Sequence, residues 1–145
     1  MTQPLGSGPT RIPPPKSVAT AGVLACGQAV GVVVLTVVIL ISGFSHAAAV
    51  GQLLAQAAYF LVLGAAMAIC GLALLDGRRW GRTPTIVVQV ILAAVGYWMA
   101  VPSGRPAWGI ALIVLAAVTG GLLLTKPATD WINRFPSLFG PEPGR

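Results

Sequence analysis

Two long apolar stretches dominate the chain, and a short basic segment divides them. Between Lys16 and Asp76 there is no Asp, Glu, Lys or Arg, whereas about 20 apolar residues suffice to cross the hydrocarbon core of a bilayer. The first stretch is long enough for two crossings. Ser42, Gly43, Phe44, Ser45 and His46 supply turn residues inside it, which predicts a first span over residues 18–41 and a second over 50–75. Asp76-Gly77-Arg78-Arg79-Trp80-Gly81-Arg82 then interrupts the apolar pattern. Thr83-Pro84 reads as a helix N-cap and first helical position, where the missing N–H of proline costs nothing, so a third span is predicted over 84–101. Pro102-Ser103-Gly104-Arg105-Pro106 breaks that pattern, and a fourth span over 107–125 ends at Lys126-Pro127. Lys126 suits the negative end of the fourth helix's dipole. Short connections make successive helices antiparallel. The expected fold is therefore all-α, a polytopic membrane protein with four transmembrane helices in two antiparallel hairpins.

The flanks read differently. Residues 1–17 hold Pro4, Pro9, Pro13, Pro14 and Pro15 with few large apolar side chains, too little to offset the entropy of ordering, so a disordered, proline-rich cytoplasmic tail is expected. Arg11-Ile12-Pro13-Pro14-Pro15-Lys16 has the form of a polyproline ligand as well as that of a solvated tail ending in a basic anchor. Arg11 and Lys16 before the first span, with Ala47-Ala48-Ala49 after it, have the outline of a secretory signal. The first apolar stretch nonetheless exceeds the roughly 7–15 residues of a signal core, which favours a retained span. Thr2 in place of a glycine, and a C-terminus without a prenylation cysteine, give no lipid attachment. Residues 126–145 form a juxtamembrane tail in which Trp131, Ile132, Phe135, Leu138 and Phe139 can line one face of a short interfacial helix, with Asp130 and Arg134 toward water and Pro136 interrupting it.

Composition agrees with a bilayer address. Of 145 residues, 56% are hydrophobic and 8% charged, against roughly 25% charged in a soluble domain. The formal charge of +6 is dispersed at the ends of apolar segments instead of gathered in one patch, so no nucleic-acid partner is expected. Counted by side, Arg11, Lys16, Arg78, Arg79, Arg82, Lys126, Arg134 and Arg145 fall together and Arg105 falls opposite. The positive-inside rule then places both termini in the cytoplasm, in a multi-pass protein of the plasma membrane. Trp80 and Trp131 are expected at the inner interface and Tyr97, Trp98 and Trp108 at the outer one. Cys26 and Cys70 lie inside apolar runs at a spacing that fits neither a metal site nor a redox pair, and read as small core residues.

Polar groups at membrane depth are the informative ones, because lipid offers them no partner. No span contains Asp, Glu, Lys or Arg. That argues against a carboxylate-driven exporter, and no catalytic residue, cofactor or metal site is expected. His46, the sole histidine, reads as a loop residue. Gln28 and Gln89 fall at depths that differ by only about one helical turn at ~1.5 Å per residue, so they are candidates for an interhelical polar contact. Gln52 and Gln56 share a face of the second helix but lie near the outer surface. Small residues recur at helix-packing spacing in Gly27 with Gly31, Ala21 with Ala25 and Ala29, Gly64 with Ala68, Ala116 with Gly120, and Ala117 with Gly121. Gly27 and Gly31 are the leading candidates for close helix packing, within the chain or against a partner.

Arg78, Arg79 and Arg82, at the start of the third helix, are the expected topology determinant and a candidate contact for anionic lipid headgroups. Gly77-Arg78-Arg79-Trp80-Gly81-Arg82-Thr83-Pro84 followed by Ile86-Val87-Val88-Gln89-Val90, with Pro127-Ala128-Thr129 after the last span, resembles small uncharacterised four-helix integral membrane proteins of actinobacteria. The resemblance implies a membrane address and a four-helix fold, and carries over no catalytic residue. The function expected from the residues is that of a structural or accessory subunit, not an enzyme, packing with itself or another membrane protein and contacting membrane lipids. The alternative is a transporter or channel component for a small neutral or weakly polar solute.

Overall fold

A computed structural model describes residues 11–45, 49–102, 104 and 106–135. Among these residues five α-helices follow one another: α1 Lys16–Ser45, α2 Val50–Leu75, α3 Arg82–Ala100, α4 Pro106–Leu124 and α5 Lys126–Asn133, with a 3-10 turn over Arg79–Gly81 before α3. Among the described residues there is no strand. Helices α1 to α4 are each long and apolar enough to cross a membrane, which is the pattern of a multi-pass membrane protein. His46, Arg105 and residues 136–145, including Pro136, Leu138, Phe139 and Arg145, lie outside the described residues, as do residues 1–10.

The first helix is longer than the apolar pattern predicts. Its 30 residues correspond to ~45 Å of helix, beyond the ~30 Å hydrocarbon core. The expected turn residues Ser42 to Ser45 are helical. A Cβ at Gly43 would meet the end of the Leu53 side chain. Helix α3 likewise begins at Arg82, before Pro84. Pro84 thus sits within the first turn, whose N–H groups have no intrahelical partner to lose.

Helix α1 packs along α2, and α3 along α4, giving two antiparallel hairpins that meet through α1 against α4 and α2 against α3. The buried face of α1 runs through Val18, Ala21, Ala25, Gln28, Ala29 and Thr36, at the three- and four-residue intervals of one helix face. The outward faces stay apolar. Val30, Val62 and Val90 are each more than 60% exposed, an arrangement suited to lipid and unfavourable in water.

Glycines set the closest approaches. A Cβ at Gly22 would stand 3.0 Å from the Gly71 carbonyl, and one at Gly71 would stand 2.7 Å from Cys26 Sγ. In the other hairpin, a Cβ at Gly109 would overlap the Gly96 carbonyl and the Ala100 amide. Gly27 and Gly31, the expected packing pair, play no such part within the chain, since a Cβ at either meets nothing within 4 Å. The reason is angular. Both lie off the stripe that Ala21, Ala25 and Ala29 carry into the bundle, and these alanines are at most 4% exposed.

Candidate functional site: a buried amide pair and a capped basic end

Gln28 from α1 and Gln89 from α3 come together between the hairpins. Gln89 Nε2 donates to Gln28 Oε1 at 2.8 Å, and Gln28 Nε2 donates back to Gln89 Oε1 at 3.2 Å. Gln28 Nε2 also lies 3.4 Å from Thr119 Oγ1 on α4, a longer and weaker contact than the usual 2.7–3.2 Å. The Thr119 hydroxyl donates to the Leu115 carbonyl at 2.9 Å. Three helices from both hairpins thereby share one polar group, and Gln28 and Gln89 are 9% and 3% exposed. An amide at this depth costs several kcal/mol if unpaired, and here each amide answers the other. The adjoining crevice, lined by Ala25, Met67, Cys70, Thr85, Val88 and Gln89, is too narrow to admit a water molecule. Gln52 and Gln56 are exposed near the start of α2 and take no part.

The basic segment closes one end of the bundle. It begins as a helix stop. Gly77 has φ +73°, its N–H reaches the Leu74 carbonyl at 3.1 Å, and the Arg78 N–H reaches the Ala73 carbonyl at 2.8 Å. These two bonds are the Schellman pattern, which satisfies carbonyls left over at a helix C-terminus. Asp76 lies 3.5 Å from the Arg11 guanidinium and 3.7 Å from that of Arg78. Both pairs are about half exposed and contribute little to stability.

Arg82 is the more consequential arginine. Its Nε donates to the Leu123 carbonyl at 2.9 Å and its Nη2 to Thr129 Oγ1 at 3.2 Å. It thus joins the start of α3 to the end of α4 and to α5. The role expected of Lys126, complementing the C-terminus of α4, is filled here by Arg82, whose planar fork serves two acceptors at once. Arg79 lies over the Phe135 ring at 5.8 Å, within cation–π range.

Helix α5 turns its apolar face onto the bundle. Ala128, Trp131 and Phe135 join Val18, Ala21, Leu74 and Leu123 in one buried cluster, with Ile12 packed against it. Trp131, expected at the membrane interface, is 2% exposed and meets Phe135 edge to face at 5.2 Å. Its indole N–H donates to the Ile12 carbonyl at 3.1 Å, while the Ile12 N–H donates to the Gly77 carbonyl at 3.2 Å. Residues 11–15 therefore depart from the expected disordered tail. Trp80, Tyr97, Trp98 and Trp108 are exposed.

Sequence reasoning left out Thr119, Ile12 and the Gly22–Gly71 and Gly96–Gly109 approaches. The depth argument that selects the glutamines also selects Thr119. The polyproline form of residues 11–16 marks that segment, but no signal in the chain pairs Ile12 with Trp131, more than a hundred residues away. Cys26 and Cys70 are both free. Among the described residues, no three His, Cys, Asp or Glu side chains gather where they would hold a metal ion. Comparison with protein-family models, curated proteins and solved structures returns no match for this chain.

Proposed function

We propose that the protein is a structural or accessory subunit of the plasma membrane, with both termini cytoplasmic, whose chemistry is helix packing and contact with lipid and not catalysis. The observation that carries this reading is the closed amide pair. Gln28 and Gln89, the polar side chains best placed to line a solute path, bond each other across the contact between hairpins, and the crevice beside Gln89 is too narrow to admit a water molecule. Gly27 and Gly31 leave open room on the outer face of α1, where close approach of another membrane helix is sterically free. Arg11, Lys16, Arg78, Arg79, Arg82, Lys126 and Arg134 stand at one end of the bundle, and the positive-inside rule makes that end cytoplasmic, toward anionic headgroups.

Isolation from native membranes in mild detergent tests the reading. A second copy or one defined membrane protein is expected at fixed stoichiometry. Recovery as a bare monomer that carries a small neutral solute into proteoliposomes, with transport abolished by Gln28→Leu, would replace it with the transporter alternative. Orientation is read separately with Ser45→Cys, Ser103→Cys and Ser137→Cys, made singly in a Cys26→Ala, Cys70→Ala background. An impermeant reagent outside intact cells is expected to label the first two, and labelling of Ser137→Cys alone would reverse the topology. Neutralising Arg78, Arg79 and Arg82 together is expected to disturb that labelling pattern.

A further inference from the structure

The segment Arg11–Pro15 is bound by the rest of the chain as a peptide ligand would be. Ile12 carries the one backbone N–H between Arg11 and Lys16, because Pro13, Pro14 and Pro15 have none. That N–H is bonded to the Gly77 carbonyl, and the Ile12 carbonyl accepts from Trp131. The Ile12 side chain packs on the buried cluster, and Arg11 adds an exposed ion pair with Asp76. Beyond the prolines, the Pro15 carbonyl accepts from the Ala19 N–H at 3.0 Å, so the segment enters α1 without slack. Consecutive prolines are already extended and lose little freedom on binding. Gly77 is fitted to the bound peptide as well as to its own turn, because a Cβ there would overlap the Ile12 carbonyl.

We propose that residues 11–15 are a strap, and that Gly77, Trp131 and the cluster beneath them form a clasp for this extended, proline-flanked segment, holding α5 closed on the bundle. Trp131 is the shared element. The indole that grips the strap belongs to the α5 face, Ala128 and Trp131, that the bundle buries together with Phe135 just beyond the helix. Release of the strap removes the acceptor of the buried indole N–H and uncovers one side of that face. The helix then becomes free to leave the bundle and lie in the adjacent membrane surface, as a short helix with one apolar face does. Whatever takes hold of the proline-rich segment would thereby open α5. The proposal does not depend on the accessory-subunit reading.

The test uses the full chain in nanodiscs, where both membrane faces are reachable and orientation does not matter. Tryptic cleavage of the Arg11–Ile12 bond reads strap release, since cleavage follows the open population when opening is fast. Trp131→Phe keeps the ring and loses the donor, and a roughly fivefold faster cut is expected from one lost hydrogen bond. Gly77→Ala and Gly77→Asn are both expected to raise the rate at least about tenfold, because each adds a Cβ against backbone. Asparagine tolerates the left-handed conformation that alanine resists. A Gly77→Asn protein that cuts like the wild type would therefore show that the glycine serves its turn alone, and would overturn the strap. Wild-type cleavage as fast as that of Trp131→Phe would do the same. Ala128→Cys, in a Cys26→Ala, Cys70→Ala background, reports on α5. Its labelling is expected to rise in step with cleavage, and continued protection while the strap is cut rapidly would refute the hold on α5.

Discussion

The two ends of the bundle are built on different principles. At the basic end an apolar cluster buries the helix termini, so their leftover carbonyls must find donors inside the protein. The Gly77 stop serves α2, and Arg82 serves α4 through Leu123. At the opposite end Tyr97, Trp98, Val101 and Trp108 are exposed, and water or headgroups can meet the last carbonyls. The constraint there is shape, with α3 and α4 meeting at Gly96 and Gly109 with no space for a side chain. The basic end adds directional bonds to helix carbonyls to its own close glycine approach, Gly22 against Gly71, and the opposite end brings α3 and α4 together at Gly96 and Gly109.

That contrast can be broken from either side. The largest effect is expected at the opposite end, from Gly109→Leu. The atoms a Cβ would meet are Gly96 and Ala100 backbone, which cannot swing away, so overpacking should cost about 3 kcal/mol in equilibrium unfolding in bicelles. Next comes Arg82→Ala at the basic end. Losing a charge-assisted bond to a carbonyl costs about 1–3 kcal/mol, and Thr129 on α5 should exchange its amide proton faster while α3 and α4 remain packed near Gly96. The smallest effect belongs to Gly31→Leu, which points into open space and should change monomer stability by less than about 0.5 kcal/mol. Its place is on the outer surface, so any loss should be in association with a second protein, read by co-isolation.

The same contrast explains what the chain discloses. Spans and hairpins follow from apolar length and turn residues, both local properties. The depths of Gln28 and Gln89 are local too, since counting residues from a span's start suffices, and the structure brings the two within hydrogen-bond distance. Packing partners are not local. Spacing alone favours Gly27 and Gly31, but which face of α1 turns inward is decided by α2 and α4 together, and it is the alanine stripe. Trp131 has the composition of an interfacial anchor, and only the position of Ile12 and the cluster makes it a buried donor. By sequence Lys126 is the expected complement to the C-terminus of α4. The approach of α3 to α4 selects Arg82.

A closed bundle joined at its centre by one amide pair has a direct thermodynamic signature. In a double-mutant cycle of Gln28→Leu and Gln89→Leu, followed by reversible unfolding in bicelles, each single change strands a buried amide, whereas the double change replaces both by apolar groups and strands neither. The singles should each destabilise, and the double should recover most of the loss, with a coupling energy of about 0.6–1.7 kcal/mol. Additive losses, or single variants as stable as the wild type, would contradict the closed pair and the packing function built on it.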